Sequence, residues 1–233
     1  MKSDPLTPPY TYEYPKADNT VDIVVFGIHQ GHRTLNVLLI QRRDDPFQGH
    51  WAIPGGFVNI DESLRDAAER ELMEETHAEP GHLEQLYTFG NPVRDPRGRI
   101  ISTVYMVLVR PEALTIQADD DASDARWFDV KALPPMLAFD HKRILELALD
   151  RLRSKLRWQP VGVGLLPPKF TLGEMKAIYE IVLGRTLDKS NFRRRVFSYK
   201  VLKEVGTRGR AILYRFDKKK YASLQKTGVD FEV

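Results

Sequence analysis

Residues 56–78 read GFVNIDESLRDAAERELMEETHA and place three glutamates on one face of a predicted helix. Glu71, Glu74 and Glu75 follow the spacing i, i+3 and i+4, so at about 100° per residue they share roughly one quadrant of that helix. The apolar residues in or beside the same quadrant are Leu64, Ala67, Ala68 and Leu72. The acids therefore lie on the inward-facing side, where an unpaired charge is costly. A hard divalent cation with oxygen ligands is the simplest way to relieve that cost, and the alternative is a salt-bridged surface helix.

The overall composition limits the class of protein. The 233 residues are enough for one large or two modest domains, each with its own core. The absence of cysteine excludes disulfides, thiolate zinc sites and a cysteine nucleophile, and it agrees with a reducing cytosol. The N-terminal stretch has no apolar leader region, and no run approaches the ~18–20 apolar residues of a membrane span. We expect a soluble, cytoplasmic protein with no membrane partner.

Charge is distributed very unevenly along the chain. Residues 1–150 carry 15 Lys and Arg against 25 Asp and Glu, a net charge of −10, whereas residues 151–233 carry 20 against 7, a net charge of +13. An asymmetry of this size indicates two domains, and a basic domain of this kind suggests a polyanionic partner. The alternative is that the basic tail docks on the acidic part.

Hydrophobic periodicity supplies the elements of the acidic part. Strands are expected at about 22–28, 35–40, 84–89, 100–109 and 126–128, and helices at about 62–76 and 139–157. The segment 159–169 (QPVGVGLLPPK) carries three prolines and two glycines and is predicted to connect the two domains.

The basic part shows the order helix, short turn, basic helix and two-stranded hairpin, which is typical of a winged helix-turn-helix. Thr171 and Glu174 form a capping-box pattern at the start of its first helix. Asn191, Arg193 and Arg194 on the second helix are of the types that read base edges. The side chains predicted to contact phosphates are Lys189, Lys200, Lys203, Arg208 and Arg210. The alternative for this domain is a helical module that binds a protein partner.

The opening segment resembles the Nudix box. Eight of the nine specified positions match, namely Gly56, Glu62, Arg70, Glu71, Leu72, Glu74, Glu75 and Ala78. The one departure is His77, which stands where the pattern has Gly. The resemblance covers about residues 20–155 and implies the α/β/α sandwich of that family, with a mixed sheet.

The Nudix resemblance also implies a chemistry. It implies a pyrophosphatase that cleaves a nucleoside diphosphate linked to another group and uses Mg²⁺ or Mn²⁺. The metal ligands would be Glu71, Glu74 and Glu75, one of them also acting as a base for water, with Gly55 lending its backbone carbonyl. Arg70 would orient Glu62 and take no part in the reaction itself.

Three further features bear on that chemistry. His77 at the helix end would disturb the last box acids first, so we expect ligand binding with slow turnover. The turn that holds Arg94, Arg97 and Arg99 is suited to ligand phosphates or a terminal ribose, and the alternative is a solvated hairpin tip. The acidic loop Asp119–Asp121 could supply an auxiliary base, although such loops are usually only solvated.

The whole chain resembles the Nudix-related transcriptional regulators of the NrtR family. Besides the domain order, three segments resemble that family: Leu137–His141, Phe170–Glu174 and Asn191–Arg195. The resemblance implies a Nudix ligand-sensing domain at 1–157 and a smaller winged helix-turn-helix domain at 158–233. It further implies a homodimeric repressor of NAD-metabolism genes that binds an operator in double-stranded DNA and releases it when ADP-ribose or a similar nucleotide binds.

Two other functions stay open from the sequence. One is a metal-dependent Nudix hydrolase of the ADP-ribose pyrophosphatase type with an accessory C-terminal domain. The other is a sensor that acts through a protein partner and not through DNA.

Overall fold

The computed structural model describes residues 12–29, 33–76, 83–113 and 122–226, without the side chains of Glu75, Thr76, Ala113, Ala122 and Gln225. The chain divides into two compact units. The described residues of the first unit lie within Met1–Phe26, Val37–Val107 and Leu114–Glu146, and those of the second within Gly27–Asn36, Leu108–Ala113 and Leu147–Val233. The domain boundary predicted between residues 157 and 158 stays a prediction.

A seven-stranded sheet forms the centre of the first unit. Its strands are β1 (Asp18–Gly27), β2 (Asn36–Arg42), β3 (Trp51–Ala52), β4 (Gly55–Phe57), β5 (Glu84–Phe89), β6 (Ile100–Val109) and β7 (Ala122–Asp129). The order is β3-β2-β1-β6-β5, while β4 pairs with β1 and β7 pairs with β2. The β4–β1 pairing is antiparallel and sets Gly55 opposite Asp22, so the residues before the glutamate helix lie beside the central strand.

The central strand shows why this sheet is covered on both faces. The last eight residues of β1 are all buried, although successive side chains of a strand point to opposite faces. A strand of that kind needs a layer on each side. Helix α1 (Leu64–Thr76) supplies part of this cover through Ala67, Ala68 and Leu72, none of which is exposed. Three of the four apolar residues that the helical spacing predicts to face inward are therefore buried, whereas the fourth, Leu64, is exposed at the first turn of the helix.

Helix α2 (His141–Trp158) belongs to both units, since Leu147 is the first of its residues assigned to the second. The remaining elements of the second unit are β8 (Phe170–Thr171), α3 (Leu172–Leu183), α4 (Lys189–Ser198), β9 (Leu202–Arg208), β10 (Ala211–Phe216) and α5 (Lys218–Gln225). Strands β8, β10 and β9 form a separate three-stranded sheet in that order.

Helix α3 begins with the predicted capping box and ends at the predicted glycine. The Glu174 backbone N–H donates to Thr171 Oγ1 at 3.1 Å, and the Thr171 N–H donates to the Glu174 carboxylate at 2.7 Å. This is the reciprocal capping box. At the other end Gly184 adopts a φ of 67°, a left-handed conformation that suits glycine.

The connection between the predicted domains is more ordered than its composition suggests. Residues Val161–Leu165 form a 3₁₀ turn, and Gly162 packs so closely that a Cβ atom there would lie 3.0 Å from Leu156 Cδ1. The short strands β3, β4 and β8 and helix α5 were not predicted. In the described parts of the chain, no helix has the length and apolar character needed to cross a membrane.

Candidate functional site

A cavity of about 550 Å³ opens in the first unit. Its wall is formed by residues of β1, β2, β3, β4 and α1 and of the segments that follow β2 and β3, together with Arg94, Asp95, Arg97, Phe139 and His141. Side chains of both charges line the cavity. The arginines are Arg42, Arg70, Arg94 and Arg97, and the acids are Asp22, Asp44, Asp45, Glu71, Glu74 and Asp95. Such a wall suits a ligand that carries both negative groups and hydrogen-bond donors.

Arg70 organises the glutamates of α1. All five of its N–H groups donate hydrogen bonds: two to Glu62, one each to Glu71 and Glu74, and one to the carbonyl of Phe57. The hydrogen bonds to Glu62 raise the pKa of Arg70 and lower the pKa of Glu62, so this pair stays ionised. Arg70 therefore orients Glu62, as the resemblance implies, and it also donates hydrogen bonds to Glu71 and Glu74.

The carboxylate of Glu71 lies close to the backbone of Gly56, which restricts the space available to it. The residue is 9% exposed, and burial raises the pKa of its carboxyl group although Arg70 opposes the shift. A Cβ atom on Gly56 would lie 2.3 Å from Glu71 Oε1, so only glycine leaves room for this carboxylate. The helix is thus not a surface helix with external salt bridges alone. Such a bridge does exist on its outer side, where Arg65 Nε pairs with Glu69 at 2.8 Å.

Carboxylate oxygens at this wall are ligands that Mg²⁺ and Mn²⁺ accept. Gly55, Glu71 and Glu74 all line the cavity, and the Glu75 side chain is not described. Among the described residues, no group of three or more acidic or histidine side chains is arranged to hold a metal ion. His77 and the acidic loop Asp119–Asp121 lie outside the described residues.

The three arginines of the predicted ligand-binding turn have different surroundings. Arg94 lines the cavity and is bound to Asp140 by two hydrogen bonds, of 2.7 and 3.1 Å. Arg97 also lines it, pairs with Asp95 at 2.7 Å, and has its guanidinium carbon 5.1 Å from the ring centre of Phe57. Arg99 donates to the carbonyl of Gly90 at 2.7 Å and is not a lining residue.

A buried polar network lies behind Arg94, and the sequence alone did not reveal it. The Ser102 hydroxyl donates to Asp22, and Arg94 Nη2 lies 3.6 Å from the same carboxylate. The backbone N–H of Ile53 donates to His141 Nδ1 at 2.9 Å. Burial lowers the pKa of His141, so its neutral ring carries the proton on Nε2, 3.8 Å from Asp22. The only signal in the sequence was the segment Leu137–His141, which resembles a family segment.

In the second unit every predicted DNA-contacting side chain is exposed. Those on or just after α4 are Lys189, Asn191, Arg193, Arg194 and Lys200, and those on the β9–β10 hairpin are Lys203, Arg208 and Arg210. The opposite side of α4 buries Phe192 and Val196. The helix is therefore fixed by its apolar side and presents its basic side to solvent.

Some of these side chains already have partners. Arg194 donates to Asn191 Oδ1 at 3.0 Å, so these two residues form one polar group on α4. On the hairpin, Arg208 pairs with Glu174 at 2.6 Å and Lys203 with Asp217 at 2.7 Å. The Arg208–Glu174 pair is substantially exposed and contributes little to stability.

Two known domain families match successive parts of the chain. The NUDIX domain family matches residues 18–148, and the NrtR DNA-binding winged helix domain family matches residues 162–216. The chain is 39% identical to the ADPR responsive transcriptional repressor NtrR of Acinetobacter baylyi, over 88% of this chain and 84% of that protein.

The chain belongs to the NrtR family. The crystal structure of Shewanella oneidensis NrtR complexed with a 27mer DNA superposes with a TM-score of 0.77 at 38% identity, covering 87% of this chain and 95% of that one. A cocrystal structure of the NUDIX domain of the same protein complexed with ADP ribose has a TM-score of 0.54 at 39% identity, over 60% of this chain and 90% of that one.

Membership of the NrtR family confirms the predicted fold class, a mixed α/β Nudix domain followed by a smaller winged helix domain. The Nudix match ends at residue 148 and the winged helix match begins at residue 162. The cavity described above therefore lies in the Nudix part, and the exposed basic helix α4 lies in the winged helix part.

Replacing Gly56 of this NrtR-family chain with alanine should destabilise the Nudix part. The added Cβ would overlap the Glu71 carboxylate, and overpacking of this kind costs about 1–3 kcal/mol. The matched control is Gly90→Ala, because its Cβ would meet no atom closer than 3.9 Å. Urea denaturation of the full chain measures both variants. Equal unfolding midpoints for the two would show that Glu71 is not confined by Gly56.

Proposed function

We propose that the chain is a DNA-binding transcriptional regulator, a repressor of NAD-metabolism genes, whose Nudix domain binds ADP-ribose or a related nucleoside diphosphate as its effector. One observation carries the proposal: a single chain joins a Nudix cavity lined by four arginines to a winged helix whose basic side is exposed. The relatives support it, since one is described as an ADPR responsive repressor and another is complexed with DNA.

The Nudix cavity supplies the chemistry for a diphosphate effector. Arg94, Arg97 and Arg99 are the proposed ligand-binding residues, and guanidinium groups bind phosphate oxygens through paired, charge-assisted hydrogen bonds. Arg94 and Arg97 are the two that line the cavity. The rings of Phe57 and Phe139 also line it and offer apolar surface to a base or a ribose.

Divalent metal is a conditional part of the proposal. If Mg²⁺ or Mn²⁺ takes part in ligand binding, the residues that would hold it are Gly55, Glu71, Glu74 and Glu75. A bound ion would neutralise the diphosphate and lower the pKa of bound water. Arg70 positions Glu71 and Glu74 through hydrogen bonds of 2.7 and 3.0 Å, so it limits which oxygens are free to bind an ion.

The winged helix domain, proposed to span residues 158–233, is the proposed DNA-binding domain. Asn191, Arg193 and Arg194 would read base edges from α4 in the major groove. The other proposed contacts, to phosphates, are Lys189, Lys200, Lys203, Arg208 and Arg210. A homodimer would present two such helices to two half-sites about one helical turn or more apart.

ADP-ribose should weaken the binding of the full chain to its operator. The expected loss of affinity is at least about fivefold, a typical lower value for coupling between two sites. A gel-shift titration with a duplex selected by the chain from a random pool measures this effect. AMP is the matched control, because it lacks the diphosphate linkage. Binding that stays constant up to millimolar ADP-ribose would reject the sensor function.

Variants of the winged helix should separate the two kinds of DNA contact. Arg193→Ala is expected to relax sequence preference, at about 1–3 kcal/mol for the contacted position. Lys203→Ala should weaken selected and random duplexes alike and lower the slope of affinity against salt by about one. Lys131→Ala, an exposed lysine of the Nudix domain, is the control for lost charge. Identical losses for Arg193→Ala and Lys203→Ala on both duplexes would contradict the assignment of α4.

The second candidate function is a Nudix hydrolase of the ADP-ribose pyrophosphatase type, alone or together with repression. Glu71 and Glu74 at the cavity favour it, since these are the box residues that hydrolysis requires. This function predicts metal-dependent conversion of ADP-ribose and water into AMP and ribose 5-phosphate, lowered by about 100-fold or more in Glu74→Gln. A steady-state assay that detects no AMP with either Mg²⁺ or Mn²⁺ would eliminate it.

A further inference from the structure

Arg94 lines the cavity and also binds Asp140, the residue immediately before α2. Its side chain is only 4% exposed, and it donates two hydrogen bonds to the carboxylate of Asp140. The residues on either side of Asp140, Phe139 and His141, also line the cavity. A ligand in the cavity therefore meets both the arginine and the chain segment that carries the carboxylate.

Asp140 occupies the position at which α2 begins. Its carbonyl accepts the backbone N–H groups of Arg143 at 3.0 Å and of Ile144 at 3.2 Å, which are the first hydrogen bonds of the helix. Its carboxylate turns to Arg94 instead of to these N–H groups. Phe139, immediately before it, has a φ of 51°, a conformation that costs energy for a non-glycine residue and that surrounding contacts must maintain.

Helix α2 continues from this point into the second unit. Residues from His141 to Glu146 belong to the first unit and those from Leu147 to Trp158 to the second. Within the second unit, Arg153 Nε donates to the carbonyl of Val182 at 3.2 Å, in the last turn of α3. The part of α2 that belongs to the second unit therefore contacts α3, the helix that precedes α4.

The charges around Arg94 make it sensitive to an added anion. One guanidinium lies between two carboxylates, Asp140 and Asp22, beside a neutral His141. A diphosphate entering the cavity would repel both carboxylates and offer the same guanidinium a competing pair of oxygens. Such a ligand binds better to the state in which Asp140 has moved away, so it shifts the population toward that state.

We propose that Arg94 couples the cavity to α2: a bound diphosphate replaces Asp140 on the Arg94 guanidinium, and the ion pair that fixes the first turn of α2 is lost. This inference rests on the proposed function, because it concerns how ADP-ribose changes affinity for DNA. Arg94 and Asp140 are thus positioning residues of the response, and α2 is the element they control.

The Asp140→Asn variant of the full chain tests this coupling by fluorescence anisotropy, with the selected duplex and ADP-ribose as probes. A neutral amide cannot hold Arg94 as an ion pair. DNA affinity without ligand should therefore fall toward that of the liganded wild type, and ADP-ribose should change it by less than about twofold, against at least about fivefold in the wild type. ADP-ribose itself should bind the variant at least as tightly as the wild type.

The matched control is Glu146→Gln, which makes the same charge change at an exposed position of the same helix. It should keep the wild-type response. If Asp140→Asn also keeps the wild-type response, or loses ADP-ribose binding while folded, the inference is overturned. A wild-type chain whose DNA affinity ignores ADP-ribose would instead overturn the proposed function itself, so the two failures are distinguishable.

Hydrogen exchange of the wild-type chain provides a test that needs no variant. ADP-ribose should speed exchange of the Arg143 and Ile144 amides, whose hydrogen bonds end on Asp140, by about tenfold or more if the first turn is released. The buried strand β6 serves as the internal reference and should not change. Unchanged or slower exchange at the first turn of α2 on saturation with ADP-ribose would refute the inference, however Asp140→Asn behaves.

Discussion

The guanidinium of Arg70 donates four hydrogen bonds to carboxylates and one to the carbonyl of Phe57, and the shape of the cavity wall depends on this arrangement. Without that positive charge, Glu71 would be buried with no compensating partner beside Glu62 and Glu74, at a cost of several kcal/mol. The carbonyl of Phe57 also joins α1 to β4. Gly56 completes the constraint, because any side chain there would displace the Glu71 carboxylate.

The part of the cavity around Arg94 is organised by a network of several buried polar groups. Around Arg94 the carboxylate of Asp22 and the neutral ring of His141 are buried and the carboxylate of Asp140 is partly buried, and each is paired or hydrogen-bonded. A network of this kind holds one arrangement firmly, yet it is vulnerable to any new anion that competes for its single guanidinium. The hydrogen bonds of Arg70 therefore fix the positions of the glutamates, whereas the ion pair between Arg94 and Asp140 can be broken by a ligand that competes for Arg94.

Much of the architecture could be predicted because its causes are local. The spacing of Glu71 and Glu74 on a helix and the capping box of Thr171 are properties of short segments, and both were confirmed. The contrast in net charge between the two parts is a property of composition, and the two domains that it indicates are shown by the family matches. The order of elements in the winged helix domain was also predicted from local patterns in the sequence. Helix α5 was missed because Lys218–Lys220 at its start resembles a solvated charge cluster, although Asp217 is a local N-cap signal and accepts from the Lys220 backbone N–H at 3.0 Å.

The sequence by itself determined which elements form, which helix carries the acids and which surface is basic, since periodicity and capping act over a few residues. Only the tertiary structure decided that Arg94 faces Asp140, 46 residues away, and that the Ile53 amide donates to His141, 88 residues away. It also separated Arg94 and Arg97, which line the cavity, from Arg99, which does not. No local pattern encodes these pairings, because they arise only when the sheet brings distant segments together and burial forces each charge to find a partner.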